Sequence, residues 1–200
     1  MLTDRQRVMV IGSGGAGKST FARRLADVKQ LPLVHLDEYY WQPGWERTPT
    51  EEWNAKVHEL AAGDCWVIDG NYTNSLPIRA ARCDAIVFFD FPRWLCIWGV
   101  LKRRILALFV ERPNVALDCP ERLTCEFLAW IWNYVAVSRP RVLSCIAGAG
   151  KDVEVITVRS RGAVRRVLAS AAHSRQRQNS RVQRTQRDAA PLTRRVVKRP

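Results

Sequence analysis

Nine consecutive residues near the start, Gly12-Ser13-Gly14-Gly15-Ala16-Gly17-Lys18-Ser19-Thr20, combine four glycines with one lysine and two hydroxyl residues after it. The spacing fits G-x-x-x-x-G-K-[ST]. Glycines at this density let the backbone curl until successive N–H groups converge on one anion. A helix opening near Lys18 brings the positive end of its dipole to the same place. Lys18 is long enough to reach the β- and γ-phosphates of a nucleoside triphosphate, and the Ser19 hydroxyl can ligate Mg²⁺. Gly12, Ser13, Gly14, Gly15, Ala16, Gly17, Lys18, Ser19 and Thr20 are therefore the expected cradle. The loop implies a bound triphosphate and leaves open what is done with it.

Three carboxylates fall where a parallel sheet collects its ligands, at the carboxyl ends of strands. Asp37 follows Leu31–Leu36, Asp69 follows Cys65-Trp66-Val67-Ile68, and Asp90 follows Ala85–Phe89. An apolar strand ending in an acid is the pattern of a carboxylate that orients Mg²⁺, which assigns Asp69 to the metal together with Ser19. Asp37 precedes Tyr39-Tyr40-Trp41-Gln42-Pro43-Gly44-Trp45. It is placed to hold an acceptor hydroxyl or phosphate, with Trp41 among the rings that would stack on the acceptor. A turn or cap role is the alternative for both, and for Asp90, before Phe91-Pro92, a structural turn is the preferred reading. Phosphoryl transfer also needs cations around the transferred group. Arg103 and Arg104, with Arg112 and Arg122, are the expected lid, and Arg79 the expected acceptor clamp. A solvated surface arginine is the alternative at each. His35 and His58 read as structural.

The elements that must position these groups can be read from periodicity. Val8–Ile11 is a continuous apolar run and reads as a buried strand, and Ser19–Val28 has helical spacing. Further strands are expected over 31–36, 65–68, 85–89 and 153–158. Further helices are expected over 50–62 (with Thr50 as N-cap), 76–82, 93–110, 121–137, 141–146 and 162–172. Residues 39–45 read as an aromatic loop. Strands alternating with helices imply a five-stranded parallel sheet with right-handed crossovers.

Two hundred residues suffice for one such domain over residues 1–172. The formal charge of +13 is unevenly placed. Residues 1–158 hold 19 Lys and Arg against 18 Asp and Glu, whereas residues 159–200 hold 13 against one. From His173 onward apolar residues nearly vanish, and residues 173–200 read as a basic disordered tail able to make non-specific contacts with nucleic acid. The six cysteines have no metal-ligand spacing and read as reduced core thiols. Ile86–Val110 is too charged to span a membrane. With no leader pattern at the start, a cytoplasmic protein without membrane attachment is expected.

The phosphate loop, His35-Leu36-Asp37 with Trp41–Trp45, Val67-Ile68-Asp69-Gly70-Asn71-Tyr72, Phe89–Arg93, Lys102-Arg103-Arg104 and Phe127–Asn133 after Cys119-Pro120 together resemble the bacterial DNA topology modulation protein family. These are P-loop proteins similar to adenylate kinase. The resemblance covers about residues 6–170. It implies ATP and Mg²⁺, an adenylate-kinase-like sheet, an acceptor-binding region over about 37–62 and a helical lid over about 103–122. Asp69-Gly70 is similar to the start of the adenylate kinase Asp-Gly-Phe-Pro-Arg stretch, but Asn71-Tyr72-Thr73 replaces Phe-Pro-Arg, which counts against AMP as acceptor. The expected activity is an ATP-dependent phosphotransferase acting on a small molecule or nucleotide. The alternative is an ATP-binding protein that acts on DNA topology.

Overall fold

The computed structural model describes residues 2–107 and 124–188. Along the chain these form β1 (Arg7–Gly12), α1 (Lys18–Lys29), β2 (Leu33–His35), α2 (Asp37–Tyr40), β3 (Trp41–Gln42) and β4 (Glu46–Arg47). They continue with α3 (Thr50–Ala61), β5 (Trp66–Asp69), α4 (Leu76–Ala80), β6 (Ala85–Phe89), α5 (Arg93–Ala107), α6 (Cys125–Ala147), β7 (Glu154–Val158) and α7 (Arg161–Asp188). Arg112, Arg122, Cys119 and most of the expected lid lie outside the described residues.

The main sheet has the order β2-β5-β1-β6-β7, and every neighbouring pair is parallel. The central strand β1 is buried from Val8 to Gly12 because helices cover both faces. Alternation then splits the core in two. Val8, Val10, Val67, Val87 and Phe89 face α1, α5 and α7. Met9, Ile11, Ile68, Ile86 and Phe88 face α3, α4 and α6. The chain leaves β1 toward β5 and β2 on one side and later crosses to β6 and β7 on the other. This reversal opens the ligand crevice at the carboxyl end of β1.

Three expectations are corrected. The helices expected over 121–137 and 141–146 are one helix, α6, with Pro140 inside it. Pro140 and Ala136 are both exposed, so the carbonyl left without its N–H partner faces solvent and the helix continues. The aromatic stretch 39–45 is the end of α2 followed by the antiparallel pair β3–β4, closed by the Thr48 hydroxyl on the carbonyls of Tyr39 and Tyr40. The last helix does not stop at Ala172 but runs to Asp188, so residues 173–188 of the expected tail are helical, and residues 189–200 lie outside the described residues. Ala171 is buried, Ser174 meets Thr3, and the Arg175 guanidinium donates to the carbonyls of Val28 at 2.7 Å and Asp27 at 3.3 Å, at the end of α1. Arg and Gln supply no core but are good helix formers, so low apolar content alone did not imply disorder.

Asp90 locks the crevice side of the sheet. It accepts a bidentate pair from Arg139 of α6 at 2.7 and 2.9 Å and a third hydrogen bond from Arg159 at 3.3 Å. The Arg139 hydrogen bond holds its carboxyl below the ordinary carboxylate value. A depressed folded value stabilises the fold above the unfolded value of about 3.9, and that contribution is lost as pH falls through the folded value. Asp90→Asn should cost about 1 kcal/mol at pH 7, after discounting for the partly exposed Arg139. It should also flatten the loss of stability below pH 4 in chemical unfolding curves. An acid limb as steep as that of the wild type would contradict this assignment.

Candidate functional site

The loop from Gly12 to Gly17 joins β1 to α1 at the point where strand order reverses. Gly15 and Gly17 take φ of +76° and +89°, in the left-handed region where glycine is at ease. Gly15 also carries α5 on its back. A Cβ there would lie 2.0 Å from the Cys96 carbonyl oxygen, and a Cβ on Gly99 would lie 2.1 Å from the Gly15 carbonyl oxygen. Helix and loop therefore touch backbone to backbone. From the other side, a Cβ on Gly14 would meet the Phe127 ring at 3.0 Å and the Trp130 ring at 3.3 Å. These two rings stack at an interplanar angle of 9°.

The mouth of the loop is open. Gly17, Ser19 and Thr20 are exposed, while Ser13 and Ala16 are buried. Lys18 opens α1 and folds back, its Nζ donating to the Ser13 carbonyl at 2.9 Å. Arg103 follows Cys96, Gly99 and Val100 at helical spacing on the face of α5 that meets the loop, and Arg104 is exposed beside it.

Parallel pairing brings Asp69 level with Val10 on one side and His35 on the other. His35 Nδ1 lies 3.1 Å from Asp69 Oδ2, and that hydrogen bond raises the imidazole above its ordinary value. Asp69 Oδ1 is buried and has no hydrogen-bond partner among the described residues. A buried carboxylate oxygen in that condition fits a cation or a cation-bound water. With the exposed Ser19 hydroxyl, the residues present suit Mg²⁺.

Asn71 and Tyr72, which residue type alone did not single out as site groups, extend this loop in two directions. Asn71 Oδ1 accepts from the Gly12 backbone N–H at 3.3 Å and from the Tyr134 hydroxyl at 3.5 Å, joining the phosphate loop to α6. The Tyr72 hydroxyl donates to Asp37 Oδ1. Burial above all, with Asp37 beside it, raises the phenol well above its ordinary value, so it stays protonated. Asp37 itself is exposed at the start of α2. Its wall is aromatic: Tyr40 packs on Trp41, Trp53 and Tyr72 with centroids 4.5–4.9 Å apart, and Trp41 packs on Trp45 at 5.3 Å.

Arg79 corrects the sequence reading. It is fully buried, so it cannot clamp an acceptor. Its guanidinium donates to the carbonyls of Gly70 at 2.8 Å, Asn71 at 3.2 Å and Tyr72 at 3.3 Å. Burial lowers it to about 10, which leaves it charged at neutral pH. A signal was present in the sequence: Leu76 and Arg79 share one face of α4, Cys83 follows four residues later, and all three are buried.

A phosphate loop at the switch point of a five-stranded parallel sheet defines a P-loop protein of kinase-type architecture. Among solved structures, shikimate kinase from Acinetobacter baumannii in complex with shikimate superposes with a TM-score of 0.55 at 14% identity, over 84% of this chain and 92% of that one. Shikimate kinase from Bacteroides thetaiotaomicron (TM-score 0.49, 16% identity, 88% and 99% covered) and a gluconokinase from Sinorhizobium meliloti (0.46, 13%, 90% and 97%) also match. No protein-family model and no curated protein sequence matches the chain. The resemblance to DNA topology modulation proteins thus gains no support, and the fold of P-loop kinases is what stands. No helix among the described residues is long and apolar enough to cross a membrane.

Proposed function

We propose that this protein is an ATP-dependent phosphotransferase that uses Mg²⁺ and moves the γ-phosphoryl group to a small acceptor. The observation that carries this reading is the pairing of an open phosphate loop with Asp69, whose buried Oδ1 lacks a hydrogen-bond partner among the described residues. The loop amides and Lys18 hold the β- and γ-phosphates, and Ser19 and Asp69 hold the metal. When bound, Mg²⁺ draws charge from the phosphate oxygens. Arg103 approaches the loop along α5 and offsets charge on the transferred group, with Arg104 at the same helix end. Asp37, fixed by the Tyr72 hydroxyl, orients the acceptor and takes its proton, and Trp41 forms part of the acceptor wall.

The decisive experiment follows ADP formation with Mg²⁺ against nucleosides, nucleoside monophosphates, sugars and other hydroxylated metabolites. At least one class is expected to raise ADP formation about a hundredfold or more over ATP alone, in line with what positioned acid–base catalysis supplies. ATP binding with no acceptor-dependent turnover across the panel would overturn the phosphotransferase reading. The DNA-directed alternative rests only on the basic character of residues 159–200, and no comparison supports it.

A further inference from the structure

Arg79 is a cation in the core whose hydrogen bonds all run to backbone carbonyls. A buried charge without a bonded carboxylate is costly, and the planar fork of an arginine is suited to binding several acceptors at once. The three carbonyls it takes are consecutive, and the side chains of the same short segment serve three different parts of the site. Asp69 faces His35 and the metal position. Asn71 holds the first amide of the phosphate loop. Tyr72 holds Asp37. The segment leaves its strand through Gly70 at φ +146°, where a Cβ would lie 2.8 Å from the Leu36 Cβ, so it cannot continue as regular strand. The Tyr72 carbonyl also accepts from the Ser75 backbone N–H at 3.0 Å and the Ser75 hydroxyl at 3.2 Å, but among the described residues Arg79 is the side chain that reaches all three carbonyls.

We propose that Arg79 is the positioning residue of this site: from one buried point its guanidinium sets Asp69, Asn71 and Tyr72, and so couples the metal, the phosphate loop and the acceptor carboxylate. The inference rests on the phosphotransferase reading for the roles of those partners. Arg79 touches neither nucleotide nor acceptor, and it acts through the segment it holds.

The test is ATP affinity by calorimetry, in EDTA and in Mg²⁺, for the wild type, Arg79→Gln and Arg79→Lys, alongside thermal unfolding. Folded Arg79→Gln should lose at least fivefold of the tightening that Mg²⁺ brings, over and above any loss of EDTA affinity that passes through Asn71 to the phosphate loop. Arg79→Lys, which keeps the charge but not the fork, should recover part of it. A merely structural arginine predicts something else: affinities in EDTA and Mg²⁺ fall together, and the Mg²⁺ tightening stays at the wild-type value. That result overturns the proposal. If neither variant folds, arginine side-chain NMR on the wild type decides. The Arg79 Nε resonance must move when Mg²⁺ is added to the ATP complex, and an unmoved resonance overturns the proposal. Wild type that binds ATP with no Mg²⁺ tightening removes the metal reading and the inference with it, whereas wild-type tightening retained in the variants removes the inference alone.

Discussion

Lys18→Ala should abolish acceptor-dependent ADP formation, with turnover down about a thousandfold or more, while the protein melts within a few degrees of the wild type. The two halves have separate causes. In the fold, Lys18 Nζ makes one hydrogen bond to the Ser13 carbonyl and fills no core space, so its removal costs about 1 kcal/mol at most. In the proposed reaction, the ammonium group is a side-chain cation at the mouth of the loop, where negative charge on the β- and γ-phosphates must be offset. Removing one preorganised group aimed at developing charge costs about 10²–10³, and a full positive charge belongs at or above the upper end. Rates of ADP formation, set beside unfolding curves for the same preparations, check both halves. Arg should rescue poorly, since a planar guanidinium does not reproduce the compact point charge of an ammonium. Wild-type turnover by a well-folded Lys18→Ala protein would place the chemistry somewhere other than the loop.

The fold was legible where chemistry and periodicity coincide. Val8–Ile11 and Ala85–Phe89 could be read as buried strands because parallel strands covered on both faces carry continuous apolar runs. The acids at strand ends followed from the same reading: Asp69 lies level with Val10, and Asp37 two residues beyond His35, which pairs with Asp69. What stayed hidden depends on contacts between distant parts of the chain. Gly99 looks like a weak point in a helix, and only the docked Gly15 carbonyl explains it. Pro140 looks like a helix end, but an exposed backbone tolerates it. Arg79 looks like a clamp because arginines near a phosphate site usually are. Its burial is set by Leu76 and Cys83 on the same face of the chain, a local pattern outweighed by a functional expectation. Asn71 and Tyr72 carry no chemistry by type, and they matter because a turn after β5 delivers them to Gly12 and Asp37.

Asp37→Asn should lower acceptor-dependent kcat by about 10²–10⁴ and leave ATP affinity within about twofold of the wild type. Asp37 stands on the β2 side of the site, outside the loop proposed to hold the triphosphate, so nucleotide binding has no reason to change. Asparagine has the same shape and keeps a carbonyl oxygen that can accept from the Tyr72 hydroxyl, and the position is exposed. Stability should therefore stay within about 0.5 kcal/mol. What the substitution removes is the negative charge and the capacity to receive the acceptor's proton. A helix-cap or turn role predicts the opposite pattern, because asparagine serves as well as aspartate at a cap and kcat would stay near the wild-type value. Tyr72→Phe separates positioning from chemistry. It leaves the carboxylate charged but untethered, so its kcat loss should be the smaller of the two, about tenfold. Unfolding curves, ATP titrations and initial rates on the three proteins distinguish the readings, and equal kcat in wild type and Asp37→Asn would remove Asp37 from the chemistry.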